Sequence, residues 1–351
     1  VNPAILSTTG TGIPFSGALT ATVLVCFTMT LLMGLYAKLP FSVAPGMGLN
    51  AFFAYTLVIN GGVPWPVALG ITFWAGVVFL LVSATSIREQ IALAIPRTLR
   101  SATAGGIGLL LTFIGLQNAG FVAANPATMV GVGPLDHRAL LTLLGLAISV
   151  WLTRRNNPFA YLAGMGAVTA VAWMAGYVTP PSSWLAPPDF SSVFLKADVM
   201  GALAWSLAPA IVTVMLTDLF DSLSTFIGVS QAANMLDERG EPRRLRQGLA
   251  VDACATLGAA VFGSSAGTAY VESIAGIRMG GRTGMTAVVT ALCFLPCLFI
   301  APVAGAIPAF ATSAVLILVG VSMFQPVTAI PFDELEIAVP AFATLILIPL
   351  T

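Results

Sequence analysis

Four carboxylates stand inside apolar stretches of this 351-residue chain, and no lysine or arginine accompanies them there. They are Asp218, Asp221, Asp252 and Glu272, whereas the other ten acidic residues fall in loops or at the ends of apolar runs. A charged side chain at the centre of a bilayer costs at least roughly 2.5–3.5 kcal/mol, so an acid kept at that depth indicates a function. Three kinds of chemistry are open to such groups: binding a proton, accepting a ligand's N–H, or bracing free backbone N–H groups.

Asp218 and Asp221 lie three residues apart in MLTDLFDSLSTFIGVS, so they share one face of a helix. Two neighbouring carboxylates without a cation repel each other when both are ionised, which suits a site that binds and releases H⁺. Asp221 also leads a polar ladder with Ser224 and Thr225, and is therefore the better ligand candidate. Asp218 is open to either a proton role or a bracing role, and we expect Asp252 to brace a neighbouring broken helix.

Glu272 occupies a different setting, the glycine-rich stretch GTAYVESIAG. A second stretch of the same kind, APGMGLNAFFAYTLVING, carries Asn50 followed by Phe52 and Phe53. Carboxylates, an amide and aromatic rings together suit a flat, neutral heterocycle, because the rings stack on it while the acids accept its N–H groups. The alternative for the two phenylalanines is packing against lipid or the protein core.

The composition places these residues in a membrane. Hydrophobic residues make up 58% of the chain and charged residues only 8%, with a mean hydropathy of +0.96; soluble domains typically carry about 25% charged residues. The formal net charge is zero, which gives no basic surface for nucleic acid. Cys293 and Cys297 share a helix face but have no histidine or carboxylate close in sequence, so we expect the cysteines to be packing residues and predict no metal site.

Apolar runs near the roughly 20 residues that a membrane-spanning helix needs recur along the whole sequence. After a stub at 1–8, they cover about 16–38, 65–86, 104–123, 139–153, 158–178, 200–230, 245–262, 284–304, 308–324 and 336–351. Two further stretches, 44–62 and 263–281, are too short or too glycine-interrupted for ordinary spans, and we interpret them as broken ones. With the stub as span one, they become spans three and ten of an all-α integral membrane protein.

The basic residues test this span count, because Lys and Arg concentrate on the cytoplasmic side of a membrane. Loops that follow even-numbered spans contain twelve of the fourteen basic residues, and only Arg138 and Lys196 fall on the other side. The even-numbered loops and the amino terminus are therefore predicted to be cytoplasmic, in a multi-pass protein of the plasma (cell inner) membrane.

Spans three and ten lie an odd number of spans apart, so they enter the membrane with opposite sense, as an inverted repeat of seven plus seven spans requires. We therefore expect the chain to lack most of span one, the end of span thirteen and all of span fourteen. Irregular backbone at membrane depth is tolerated only where protein or a cavity covers it. The paired broken spans predict a ligand cavity, with close helix packing through the glycines as the alternative.

Three motifs resemble the AzgA-like branch of the nucleobase:cation symporter and nucleobase-ascorbate transporter superfamily. They are APGMGLNAFFAYT at 44–56, TDLFDSLSTFIGV at 217–229 and AYVESIAGIRMGGRTGMTAV at 269–288. The likeness covers essentially the whole chain. It implies proton-coupled import of a purine base (adenine, guanine or hypoxanthine), and it is compatible with a homodimer in the lipid bilayer.

The resemblance also implies fourteen spans in two domains. Spans 1–4 and 8–11 would form a core domain, at residues 1–86 and 199–305. Spans 5–7 and 12–14 would form a gate domain, at residues 87–198 and 306–351. Transport would proceed by elevator-like movement of the core against the gate.

Carried over position by position, the span-eight acid of the family falls on Asp221, the span-ten acid on Glu272 and the span-three amide on Asn50. The substrate site that the resemblance implies is completed by neighbouring positions, namely Ala51, Phe52, Phe53, Thr225, Tyr270 and Val271. The coupling proton is expected on Glu272, Asp221 or Asp218, with H⁺ as the coupling ion and no other cofactor.

The sequence departs from related branches at three positions beside these acids. Thr225 stands where the pyrimidine and xanthine relatives have a histidine, so protonation there must differ, and the only histidine, His137, is predicted in an external loop. Ser224 and Ala269 replace a glycine and a threonine that are more usual in the AzgA-like branch. These two replacements bear on which base is preferred.

Three rival functions remain. An anion exchanger of the same fold, for sulfate or bicarbonate, would favour neutral or basic groups between the half-helix ends, and Glu272 opposes it. An intramembrane aspartyl protease would use two of Asp218, Asp221 and Asp252 in YD and GxGD contexts, and neither context occurs. A channel would lack saturable uptake driven by a pH gradient. The sequence therefore predicts a transporter and not an enzyme.

Overall fold

The computed structural model describes residues 1–85, 96–125, 129–181, 183–232, 235–236 and 242–350. Its α-helices are α1 (Asn2–Leu6), α2 (Phe15–Leu32), α3 (Met47–Ala51), α4 (Trp65–Ala84), α5 (Arg97–Asn118), α6 (His137–Arg154), α7 (Ala160–Met174), α8 (Ala208–Ala232), α9 (Leu245–Phe262), α10 (Ser273–Arg278), α11 (Gly284–Phe294), α12 (Ala301–Gly305), α13 (Ala309–Phe324) and α14 (Leu335–Leu350). Its strands are β1 (Val43–Pro45), β2 (Val122–Asn125), β3 (Met129–Val132) and β4 (Gly267–Ala269). Helix α2 continues as π-helix over Met33–Ala37 and α3 over Phe52–Asn60, while 3₁₀ turns lie at Gly201–Leu203, Trp205–Leu207, Leu295–Phe299 and Gln325–Ala329.

Five helical stretches are long and apolar enough to cross a membrane: Phe15–Ala37, Trp65–Ser83, Thr98–Asn118, Trp205–Ser230 and Ala309–Ala329. Shorter apolar helices cover Met47–Asn60, Ala160–Met174, Gly284–Phe299 and Leu335–Pro349. The strands have only three or four residues each. The predicted all-α architecture of a membrane protein is confirmed, whereas the total of fourteen spans stays a prediction.

Most helix bounds follow the hydropathy pattern, and the exceptions have local causes. The stretch predicted as a span at 284–304 is helical over nearly all its length but not α-helical throughout, because α11 gives way to the 3₁₀ turn Leu295–Phe299 and the α-helix restarts at Ala301. Pro296 lies in that turn and has no N–H for an α-helical ladder. Helix α5 begins at Arg97, well before the predicted start at 104, since its first turns are polar and leave no hydropathy signal.

Two compact units make up the chain. The larger unit comprises Asn2–Ala94 and Leu185–Ala301, and the smaller unit comprises Ile95–Trp184 and Pro302–Thr351 with Val1. The domain boundary predicted at 199 lies further along the chain than the division at Leu185, because the residues in between hydrogen-bond to the larger unit. The boundary predicted at 87 falls outside the described residues, and the roles of core and gate stay predictions.

In the larger unit, α2 packs against α11 and α4 packs against α9. Under the predicted repeat of seven plus seven spans, span two would correspond to span nine and span four to span eleven, so these two contacts would be equivalent. The π-helical end of α2 comes very close to the start of α11, where a Cβ on Gly284 would stand 2.2 Å from the carbonyl oxygen of Gly34. Any larger residue at that point would collide with backbone.

In the smaller unit, α5 contacts α13 and α14, and α6 contacts α7 and α13. The carboxylate of Asp136 accepts hydrogen bonds from the backbone N–H groups of Arg138 and Ala139 and thereby caps α6. His137, predicted in an external loop, is therefore the first residue of this helix. Its ring stacks on Tyr177 with a centroid separation of 4.3 Å.

Candidate functional site

The two broken segments predicted from the sequence meet in the larger unit. Strand β1 pairs antiparallel with β4, with Val43 opposite Ala269 and Pro45 opposite Gly267. The pairing extends on one side through the hydrogen bond from Gly46 N–H to the carbonyl of Ala266, at 2.9 Å. The broken segments thus satisfy each other's backbone polar groups, which is how irregular backbone can exist at membrane depth.

Two aspartate–hydroxyl pairs join helices α8 and α9 beside this crossover. Thr256 of α9 donates its hydroxyl to Asp218 of α8, and Ser222 of α8 donates its hydroxyl to Asp252 of α9. The pairs are reciprocal, since each helix supplies one acid and one hydroxyl at a spacing of four residues. All four side chains are buried. The hydrogen bonds supply these acids with the donors that a buried carboxyl group requires.

Three of these four side chains, Asp252, Thr256 and Ser222, hold strand β4. Asp252 accepts the backbone N–H of Ala269 at 2.7 Å, and the hydroxyl of Thr256 lies 3.1 Å from the carbonyl oxygen of Gly267. Ser222 shares a hydrogen bond of 2.9 Å with the hydroxyl of Thr268. Asp252 therefore braces the broken tenth span, as predicted from the sequence. Asp218 receives the Thr256 hydroxyl on one oxygen, and its Oδ1 has no partner among the described residues.

Asp221 and Glu272 differ from these two acids. Asp221 is half-buried and Glu272 is exposed on the larger unit. Across the described ranges, no other residue donates a hydrogen bond to either carboxylate. The two groups lie within electrostatic range of each other and of the Tyr270 hydroxyl. Because no other described residue donates to them, these two acids beside the crossover form a cluster of acceptors open to a ligand, and Val271 next to them is also exposed.

The other residues predicted for the site are more deeply placed. Asn50 is buried and its Oδ1 accepts the hydroxyl of Ser265, while its Nδ2 has no partner among the residues described. Ala51 and Phe53 are buried, and Phe53 packs in the hydrophobic core of the larger unit, as the alternative of core packing expects; its place in a substrate site stays a prediction. The ring of Phe52 is only partly buried and packs against this core.

Tyr270 and Thr225 complete the predicted set. The Tyr270 hydroxyl donates to the carbonyl of Pro45 at 2.5 Å, and its backbone N–H donates to Ser42 at 2.9 Å. Tyr270 therefore ties the broken segment at 263–281 to strand β1 and the residue before it. Thr225 is buried one turn beyond Asp221 on α8.

Comparison with known proteins places this arrangement in a family. Residues 1–350 match the Permease family, Xan_ur_permease. The chain belongs to this family. The permease is 40% identical over 350 residues to the adenine permease AdeP of Escherichia coli (strain K12), with 99% of this chain and 78% of that protein covered. It is 37% identical over 360 residues to the guanine/hypoxanthine permease PbuO of Bacillus subtilis (strain 168), with 100% of this chain and 83% of that protein covered.

The fold of the permease is similar to that of the transmembrane domain of the cyanobacterial bicarbonate transporter BicA. The two share 18% identity at a TM-score of 0.74, over 99% of this chain and 91% of that one. At such an identity the likeness shows the fold alone. The superfamily membership predicted from the three motifs is confirmed, and the permease is a membrane transporter and not an enzyme.

Sequence reasoning missed the hydroxyl partners of the acids in this permease. Ser222 and Thr256 look like ordinary helix residues, and only their spacing gives a signal. Each lies four residues from an acid, on the same helix face as Asp218 and Asp252 respectively. Ser265, the partner of Asn50, lies in the irregular stretch after α9 and carries no such signal.

Proposed function

We propose that this permease imports a purine nucleobase together with a proton, and that Asp221 and Glu272 accept the N–H groups of the base. The observation that carries this proposal is the difference among the four intramembrane acids. Asp218 and Asp252 are buried and hydrogen-bonded, whereas Asp221 and Glu272 lie beside the crossover with no donor from another described residue. The names of the relatives, which are adenine and guanine/hypoxanthine permeases, support the choice of ligand.

A purine base offers N–H donors for the carboxylates of Asp221 and Glu272. Adenine, guanine and hypoxanthine are flat, uncharged rings that carry N–H donors, and an ionised carboxylate accepts up to about four hydrogen bonds. Hydrogen bonds to charged acceptors contribute about 1.5–3 kcal/mol each. The partly buried ring of Phe52 and the exposed Val271 offer apolar contact for the faces of the base. Adenine differs from guanine and hypoxanthine in its donors and acceptors, so the position of the two acids would select among them.

The coupling proton follows from the proximity of Asp221 and Glu272. Two ionised carboxylates in one cluster repel each other, so a shared proton relieves the repulsion when no base is bound. We place this proton on Glu272, Asp221 or Asp218. Asp218 is included because its Oδ1 has no donor in the described part of the chain and it lies within electrostatic range of Asp221.

In the transport cycle that we propose, the larger unit carries the site and moves relative to the smaller unit in an elevator-like manner. All four acids, the crossover and the bracing hydroxyls belong to the larger unit, so they can move together without breaking their hydrogen bonds. The larger unit would be the core domain and the smaller unit the gate domain. We place the permease in the plasma membrane with the amino terminus and even-numbered loops cytoplasmic; Arg88 and Arg239, two of the basic residues behind that orientation, lie outside the described residues.

The anion exchanger of the same fold is less well supported. The similarity to BicA concerns the fold only. Asp221 and Glu272 would repel sulfate or bicarbonate, since neither has a basic partner among the residues that the structure describes.

Uptake by the full-length protein in proteoliposomes tests the proposal. Radiolabelled adenine, guanine and hypoxanthine are offered with and without an inward pH gradient, and we expect saturable uptake of at least one base that the gradient accelerates. Glu272→Gln and Asp221→Asn should each abolish uptake, because the amide replaces an acceptor oxygen by a donor. Glu336→Gln, the same change at an exposed position in the smaller unit, serves as the matched control. Unchanged uptake by either site variant would refute the site assignment, and uptake indifferent to pH would refute proton symport.

A further inference from the structure

Residues Leu185–Trp205 form an irregular segment of the larger unit, which we call the strap. All of it is described, and its regular structure is limited to the 3₁₀ turn Gly201–Leu203 and the first residue of the turn Trp205–Leu207. A membrane-spanning helix satisfies its own backbone polar groups, but an irregular segment must find other partners for them. The environment of the strap is therefore restricted by its backbone as well as by its side chains.

Hydrogen bonds fasten the inner side of the strap to helix ends of the larger unit. Leu195 N–H donates to the carbonyl of Val261 in α9 at 2.9 Å, and Asp198 N–H donates to that of Pro66 in α4 at 2.8 Å. The carboxylate of Asp189 accepts the hydroxyl of Ser16 in α2 at 2.9 Å. The strap thus lies across one end of three helices, and it is fixed there.

The outer side of the strap is apolar. Six of its large hydrophobic side chains are exposed, and the exposed fraction is 91% for Trp205 and 77% for Met200. The other four are Leu185, Phe190, Leu195 and Leu203. This is a high density for a segment outside the helices, since exposed apolar side chains on soluble surfaces are usually scattered singly.

The side chains of the strap disfavour bulk water, and its backbone disfavours the hydrocarbon core of the membrane. Bulk water disfavours so many exposed apolar groups close together, and the hydrocarbon core disfavours irregular backbone exposed to lipid. The interface between headgroups and acyl chains accepts both, and tryptophan is enriched there because its ring is apolar while its N–H stays hydrated. We propose that the strap lies in this interfacial layer, with its outer side bound to the phospholipid surface.

The basic residue of the strap, Lys196, suits that position. Lys196 is exposed beside Leu195, where its ammonium group can reach a lipid phosphate while its alkyl chain lies along apolar surface. The two acids of the strap already accept hydrogen bonds within the protein: Asp189 from the hydroxyls of Ser16 and Ser192, and the exposed Asp198 from the backbone N–H of Gly201 at 2.8 Å.

Fluorescence of Trp205 in phosphatidylcholine vesicles tests the proposal. The full-length protein is compared with a Trp205→Phe variant, and the difference isolates the signal of that ring from those of the other five tryptophans. One set of vesicles contains phosphatidylcholine brominated near the headgroup, and a second set contains phosphatidylcholine brominated near the end of the acyl chains. We expect a larger loss of the Trp205 signal with the bromine near the headgroup.

Two results would overturn the proposal. A larger loss with the bromine at the chain end would place Trp205 in the hydrocarbon core. No loss with either lipid would place it in water or under protein, and quenching by aqueous iodide separates those two cases. Met200→Trp in the Trp205→Phe background moves the probe to a second exposed position of the strap, where the same order of quenching is expected and the reverse order would contradict it.

Discussion

Thr256→Val removes one hydroxyl from the reciprocal pairs between α8 and α9, and its effect on stability can be worked out from the contacts. Valine has almost the same shape as threonine, so the change leaves no cavity. It does remove the donor to Asp218, whose other oxygen already has no partner in the described chain. A buried carboxyl group would then have no hydrogen bond from any described residue, and leaving a buried polar group without a partner costs about 1–3 kcal/mol, or more when the group is charged. If Asp218 is protonated, the neutral range of about 1–3 kcal/mol applies.

We therefore expect Thr256→Val to lower the free energy of unfolding by about 3 kcal/mol, the upper end of the range for a neutral group. The matched control is Thr72→Val. Thr72 is also a buried threonine in a helix of the larger unit, but its hydroxyl bonds to the carbonyl of Ala68 in its own helix at 3.1 Å. That carbonyl keeps its helical N–H donor, so the loss in the control should stay below about 1 kcal/mol.

The double variant Asp218→Val, Thr256→Val separates a polar effect from a packing effect. Replacing both partners of a buried hydrogen bond by apolar groups is often nearly neutral, so the double variant should be more stable than Thr256→Val alone. Unfolding by SDS in mixed micelles, followed by tryptophan fluorescence, gives the free energies. The reasoning is refuted if Thr256→Val is no less stable than Thr72→Val, or if the double variant loses more than the single one.

Two further predictions concern the same unit. Gly284→Ala should strongly destabilise the permease in the same unfolding assay, because the new Cβ would stand 2.2 Å from the carbonyl oxygen of Gly34, whereas Gly166→Ala meets no atom within 4 Å and should be neutral. Equal stability of the two variants would contradict the close approach of α2 and α11. Asp189 in the strap has a pKa lowered to about 2, first by the hydrogen bond from the hydroxyl of Ser192. A lowered pKa stabilises the fold above the ordinary aspartate value of about 3.9, and the contribution is lost as the pH falls towards 2. The stability difference between the native protein and Asp189→Asn should therefore be largest near neutral pH and shrink in that window, and a difference that grows on acidification would disprove the assignment.

The parts of the fold that hydropathy controls could be predicted from the sequence. Helices α4 and α9 lie close to their expected bounds because each is one apolar run between polar or proline breaks. The irregularity of residues 44–62 and 263–281 was also predictable, since glycines at membrane depth weaken a helix. The interruption after α11 was not, because Pro296 lies inside a run whose hydropathy stays high on both sides.

The parts that depend on long-range pairing could not be predicted. Strands β1 and β4 have three residues each, too few for an alternating pattern, and they become strands only because they meet. The sequence identified the four acids and predicted that Asp252 braces a broken segment, but it left Asp218 open, so it did not give the full division into a braced pair and an open pair. That division depends on which hydroxyls face Asp218 and Asp252 from the neighbouring helix, and no local pattern records it.

The pairing of β1 with β4 also affects how the permease is made. Tyr270 and Pro45, which are joined by a hydrogen bond across this crossover, lie 225 residues apart in the chain. At about 5–20 residues synthesised per second, β1 therefore waits roughly 10–45 s in the membrane before its partner strand exists. The hydroxyl of Thr30 in α2 bonds to both the N–H and the carbonyl of Val43, at 2.9 and 3.0 Å. This threonine comes from the preceding helix, so it can hold the first residue of β1 until β4 has been translated.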